Sequence, residues 1–159
     1  MFPIPWYAVL FISIPETFLI IQLGFSLFNL KIGWREPIMA SVIMGVFSYF
    51  LLRLTIIPGT HTLILIFATT CITAWLSKAN IWYSLIAVLC GAMIVGVTEN
   101  VVVPVALILM SKTINDLSAN PWLNIGVSFP TTLLAALLFF LVRRFSLVLY
   151  DLNTKGSSM

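Results

Sequence analysis

The sequence predicts an all-α fold: a polytopic transmembrane helical bundle of about five helices, with the N-terminus outside and the C-terminus inside. Three observations carry that expectation. The first is composition, since 61% of the 159 residues are hydrophobic and only 8% are charged, whereas a soluble domain carries about a quarter charged residues. The second is spacing. The apolar runs approach the roughly 20 residues that a spanning helix needs, and the stretches between them are too short to fold alone. The third is the placement of Lys and Arg at the ends of those runs, which is how membrane proteins set their orientation.

The first run extends from about Pro3 to Leu30 and stops at "KIGWREP". It is too long for a signal-peptide core and has no basic start, so it is expected to remain in the protein as a spanning helix. The second runs from about Pro37 to Ile57 and closes at "PGTHT"; the third, Thr60 to Ser77, closes at "KAN". The fourth, Ile81 to Ser111, is too long for a straight crossing and is expected to bend or tilt. The fifth follows "KTINDLSANP" and runs from about Pro121 to Val142, where Arg143 and Arg144 stop it. Residues 1–142 thus read as the bundle and 143–159 as a short cytoplasmic tail.

With the N-terminus outside, Lys31, Arg35, Lys78, Arg143, Arg144 and Lys155 fall on the inner side, against Lys112 and Arg53 on the outer side. That is a positive-inside bias, so the net charge of +3 reports orientation and not a nucleic-acid partner. Trp6, Tyr7, Trp34, Trp75, Trp82, Tyr83 and Trp122 sit near the expected helix ends, as interfacial aromatic belts do. The implied location is the cell membrane, multi-pass, with lipids as neighbours.

Several chemistries lack their residues. Cys71 and Cys90 both fall inside apolar segments and read as small hydrophobes. His61 is the single histidine, and alone it cannot build a metal site. There is no phosphate-cradling glycine loop, nucleophile elbow or zinc-protease motif. The expectation is a non-enzymatic protein with no cofactor and no metal.

The informative residues are the polar ones kept in hydrocarbon. Glu16 in "SIPETF" and Glu99 in "GVTENVVVP" both fall about 20 Å below the outer boundary at 1.5 Å per residue. A carboxylate there costs about 2.5–3.5 kcal/mol on insertion scales, so it should face the bundle interior. Arg53 is the basic residue within a hydrophobic run. Side chains lean toward the N-terminus of their own helix, which turns Arg53 and Glu16 toward each other and Glu99 away. The expectation is a Glu16–Arg53 pair, with Glu99 left to Asn100, threonines or water. Pro15, Pro104 and Pro130 each remove a helical hydrogen bond and would free the carbonyls of Phe11, Asn100 and Gly126. Such carbonyls need partners, which Asn124, Ser128, Thr131 and Thr132 could supply on the fifth helix. Together these residues point to a polar, outward-opening pocket among helices one, four and five. Ala87-xxx-Gly91, Ala92-xxx-Gly96 and Ser41-xxx-Gly45 are small-xxx-small patterns that permit close helix packing or dimerisation.

Taken as a layout, "PWYAVLFISIPETFLIIQLGFSLFNLK", "GVTENVVVP" and "FFLVRRFSLVLYDL" give a chain that resembles the membrane-embedded input regions of bacterial sensor histidine kinases, such as the peptide-pheromone receptors of Firmicutes. The resemblance implies a multi-helix sensing region whose last helix hands a signal to a cytoplasmic dimerisation helix and an ATP-binding kinase domain. Here the chain ends at "DLNTKGSSM", without a phosphoacceptor histidine or ATP-binding motifs, and no functional residue is carried over. The tail "RRFSLVLYDL" is expected to extend the fifth helix, lie on the inner leaflet or dock on a partner. The first functional reading is a non-enzymatic sensing and relay module, acting as a homo-oligomer or through a membrane or cytoplasmic signalling partner. The alternative is a small transporter, proton pathway or transporter subunit that uses the buried carboxylates. A third is a structural or assembly subunit.

Overall fold

The computed structural model describes residues 6–53, 60–113, 116 and 120–151; the side chains of Ala8, Val9, Leu52 and Arg53 lie outside this description. Among the described residues five helices follow one another: α1 (Trp6–Leu27), α2 (Arg35–Arg53), α3 (Thr60–Ser77), α4 (Ile81–Leu109) and α5 (Pro121–Arg144). Among the described residues there is no strand. Four of the helices, α1, α3, α4 and α5, are long and apolar enough to cross a membrane. α2, at 19 residues one longer than α3, carries Arg35 and Glu36 in its first turn and ends at Arg53. The chain is a helical membrane bundle, as expected.

Local chemistry explains where the helices begin and end. Asn80 starts α4 by accepting the Trp82 backbone N–H at 3.0 Å, which satisfies a donor that the first helical turn cannot. Pro121 opens α5 at the position where a missing N–H costs nothing. At the other ends, Asn29, Lys78, Ser111 and Ser146 all take positive φ, between 48° and 52°. Leu30 N–H reaches the Phe25 carbonyl at 3.0 Å, Lys112 that of Leu107 at 3.0 Å, and Leu147 that of Val142 at 3.0 Å. These are six-to-one bonds of the Schellman type, which return the chain sharply at the end of a helix.

Pro15, Pro104 and Pro130 are all accommodated inside α1, α4 and α5 without ending them. The 29-residue α4 is about 44 Å long at 1.5 Å per residue, more than the roughly 30 Å of a bilayer core.

α1 is the central helix. It packs against α2, α4 and α5, while α3 bridges α2 and α4, and α4 touches α5. Of its spanning stretch 39% is buried, against 17% for each of α3, α4 and α5. The side chains are sorted as lipid demands. Bulky Phe11, Phe67, Met93, Phe129 and Phe140 face outward, whereas Thr70, Thr73, Ser84, Ala87, Thr131 and Ala135 are buried. In hydrocarbon there is no hydrophobic force between helices, so small residues line the close crossings, while Ile21, Leu23, Phe25 and Met44 fill the space between them.

The tightest approach is between α1 and α4. A Cβ placed on Gly24 would overlap the Ala87 carbonyl, and one placed on Gly91 would overlap the Ile20 carbonyl. Backbone therefore meets backbone, and of the three small-xxx-small patterns Ala87-xxx-Gly91 is the one that makes this crossing. Gly45 of the Ser41-xxx-Gly45 pattern receives Ile14 of α1, whose Cγ1 would lie 2.8 Å from an added Cβ, and Gly96 of the Ala92-xxx-Gly96 pattern has nothing within 4 Å.

The tail does not continue α5. After the turn at Ser146 it folds back across the end of α1, where the Leu149 N–H donates to the Leu27 carbonyl at 2.8 Å and the Asn29 amide donates to Asp151 at 3.0 Å. The expected extension of α5 does not occur; the described tail residues pack on the chain's own first helix instead. Because α1 and α5 run in the same direction while α2 and α4 run against them, Lys31, Arg35, Lys78, Arg143 and Arg144 all lie at one end of the bundle.

Candidate functional site

Three contacts define the level at which the buried polar groups meet. Leu19 and Leu23 of α1, Val95 of α4 and Ala135 of α5 form one buried cluster. One helical turn further from the tail end stand Glu16 on α1, Glu99 on α4 and Thr131 on α5. The register is supported at the far end, where the rings of Tyr7 and Trp122 lie 5.9 Å apart. Glu16 and Glu99 are each eight residues from the glycine crossing, counted from Gly24 and Gly91, or about 12 Å along their helices. Because Gly24 meets Ala87 and Gly91 meets Ile20, the backbone of Glu99 stands about one turn, or about 6 Å, further out than that of Glu16, a separation that their side chains, each leaning toward its own helix N-terminus, lean to close.

Thr131 completes the level from α5. It is 2% exposed, and its hydroxyl has no hydrogen-bond partner among the described residues. A buried hydroxyl without a partner forfeits about 1–3 kcal/mol, so this one is a donor and acceptor in reserve. One turn further out, the Ser13 hydroxyl of α1 donates to the Ser48 hydroxyl of α2 at 3.4 Å. Neither Glu16 nor Glu99 has an ion pair or hydrogen bond among the described residues. What the arrangement offers is two carboxyls and a free hydroxyl, contributed by three helices. That set can receive a cationic or hydrogen-bonding group.

The remaining sequence candidates divide. Arg53 lies at the end of α2 with its side chain outside the described residues, so the Glu16–Arg53 pair falls outside them as well. Asn100 is a correction. It is exposed and its amide donates to the Gly96 carbonyl of its own helix at 2.8 Å, so it does not serve Glu99. Asn124 is half-buried near the start of α5, and Pro15 is half-buried on α1. Pro104 and Pro130 are exposed and therefore face outward from the bundle instead of lining a pocket. Thr132 spends its hydroxyl on the Ser128 carbonyl at 3.0 Å, and Thr98 on that of Ile94 at 2.8 Å. Such bonds to the preceding turn are the ordinary resource of a hydroxyl within a helix. The proline-and-threonine grouping on the fifth helix thus resolves into self-satisfied residues plus Thr131.

The meeting of Glu16 with Glu99 was not legible from the lean of side chains along each helix. Lean acts over a few ångströms, whereas register moves a whole residue by the length of a turn. The register is set instead by the crossing of Gly24 with Ala87 and of Gly91 with Ile20. Gly24 was the residue that sequence reasoning missed.

A larger opening, about 340 Å³ in volume, lies at the opposite end, between α1, the α1–α2 connection and the docked tail. A shallow apolar groove of about 280 Å³ is formed by Leu10, Phe11, Ile14 and Pro15. Among the described residues no group of three His, Cys, Asp or Glu side chains could hold a metal ion. Compared with protein-family models, curated proteins and solved structures, the chain matches none of them.

Proposed function

We propose that this integral membrane protein is a non-enzymatic sensing and relay module, in which occupancy or protonation at the Glu16–Glu99–Thr131 level changes the set of α5 and so the docking of the tail. The observation that carries the reading is that α5 connects the two places. Thr131 stands at the carboxyl level, and twelve residues later, about 18 Å along the helix, the same helix reaches Arg143 and the segment that bonds to the end of α1. Ionisable groups within a membrane are a functional hypothesis in themselves. A bistable contact such as the tail against α1 is the kind of element that a remote site can bias. The positive-inside rule places the tail on the cytoplasmic side, where a partner could read it, in keeping with the resemblance to kinase input regions.

The test is amide hydrogen exchange at Leu149, whose N–H is held by the Leu27 carbonyl. In the protein reconstituted in nanodiscs, Glu16→Gln combined with Glu99→Gln is expected to change the protection of that amide. Identical protection in wild type and the double variant, across pH 5 to 8, would refute the relay.

A second reading is a proton or cation pathway, and the observation favouring it is that α1 and α4, which pack together, each carry a carboxyl within the membrane. Liposomes carrying the protein and an internal pH dye separate the readings. Proton flux that Glu99→Gln abolishes supports a pathway, and its absence alongside altered tail protection supports the relay.

A further inference from the structure

The opening at the tail end is a built site whose chemistry differs from that of the carboxyl level. Its walls come from the last turn of α1, the α1–α2 connection, the end of α5 and the folded-back tail. Two cations line it, Lys31 and Arg143, and no acidic side chain does so among the described residues. Neither cation has an ion-pair partner among those residues. The Arg143 guanidinium lies over the Trp34 ring, 5.2 Å from its centre, and Trp34 is itself stacked on Phe18 at 6.2 Å. A guanidinium held by its face keeps its N–H edge free for an anion. Gln22 is the second, independent sign. It is 5% exposed, lines the opening, and its amide has no hydrogen-bond partner among the described residues. Without a partner among those residues, that amide is open to a group that enters the cleft.

We infer that this cleft binds the phosphate-bearing headgroup of an anionic phospholipid of the tail-side leaflet. Its volume of about 340 Å³ lies at the lower end of the about 300–1,000 Å³ that ligand sites occupy. The phosphate meets Arg143 and Lys31, the Gln22 amide donates from the floor, and Phe25, Ile32 and Val148 supply apolar wall for the glycerol and first acyl carbons. Basic clefts between helices on the cytoplasmic side select anionic headgroups in this manner. Because Ser146 and Val148 belong to the tail, an occupied cleft also fastens the tail to α1. The inference is independent of the relay: the site can bind lipid whether or not the carboxyl level signals.

The test is native mass spectrometry of the full chain released from detergent with equimolar phosphatidylglycerol and phosphatidylcholine. Phosphatidylglycerol is expected to be retained preferentially, and Lys31→Gln and Arg143→Gln each to weaken that retention about five-fold, the weight of one cation near an anionic surface. Gln22→Leu should weaken it without any change in charge. Arg144→Gln removes the same charge one residue away, from a side chain that does not line the cleft, and should leave retention intact. Lys31 is exposed in a connection, so its replacement remains informative if Arg143→Gln disturbs the Trp34 packing. Equal retention of both lipids, or equal losses in Arg143→Gln and Arg144→Gln, would overturn the assignment. Complete displacement of the lipid by millimolar inorganic phosphate would also overturn it, in favour of a free-anion site.

Discussion

Replacing Gly24 by alanine tests the crossing on which the candidate site depends. The added methyl meets the Ala87 carbonyl, a backbone atom that no rotamer change can move. Relief requires α1 and α4 to separate along their central contact. Overpacking of this kind costs about 1–3 kcal/mol, and more where backbone must shift. Alanine also gains about 1 kcal/mol of helix propensity over glycine, which would mask part of that cost in a single measurement. Gly96→Ala removes the ambiguity, because it sits in the same bundle with nothing within 4 Å of the new methyl, so both variants carry the propensity gain and only one carries the clash. Equilibrium unfolding in mixed micelles, followed by circular dichroism, should show Gly24→Ala less stable than Gly96→Ala by at least about 2 kcal/mol. Gly91→Ala, which would meet the Ile20 carbonyl, should behave like Gly24→Ala. A difference below about 0.5 kcal/mol, the scatter of ordinary surface substitutions, would refute the close crossing. With it would go the register that brings Glu16 to Glu99.

Two further outcomes are expected outside the membrane core. Asn80→Ala removes the acceptor for the Trp82 N–H and should cost about 1 kcal/mol, as loss of an N-cap typically does, read in the same unfolding experiment. Asp116 titrates below the ordinary aspartate range because the Thr113 backbone N–H, and then the Thr113 hydroxyl, donate to its carboxylate. Those bonds stand at 2.7 Å and 2.9 Å. A depressed folded value means that the contact stabilises the α4–α5 connection above the usual aspartate pKa and is lost as pH falls through the folded one. Thr113→Ala should move the Asp116 titration, followed by NMR, part of the way back upward, since the backbone bond remains. An unchanged or lower value would show that the hydroxyl contributes nothing.

The helices and the membrane they require were legible from residues alone, and the reason is solvent. In hydrocarbon every backbone group must be paired within its own segment, so an apolar run of sufficient length becomes a helix whatever surrounds it, and Thr60–Ser77 emerged with the expected ends. The cation-bearing connections followed from the same cause, since charge is cheap only outside the core. That Glu16 turns into the bundle was equally an outcome of cost. The tail was less legible, because "RRFSLVLYDL" is short and its fold-back includes the bond to the Leu27 carbonyl and the Asn29–Asp151 contact, neither of which has a local pattern.

What tertiary structure alone decided is which polar groups share a level. Helix rotation and register are set where Gly24 meets Ala87 and Gly91 meets Ile20, contacts between residues more than sixty positions apart. No periodicity within either helix records them. The same non-local register turned Asn100, Pro104 and Pro130 outward while leaving Thr131 buried beside the carboxyls. It also joined Gln22, Lys31, Trp34 and Arg143, four residues that mean little along the chain, around one opening. Segment identity follows from what each stretch loses or gains in lipid; the meeting of segments follows from steric fit between backbones, which only the assembled bundle possesses.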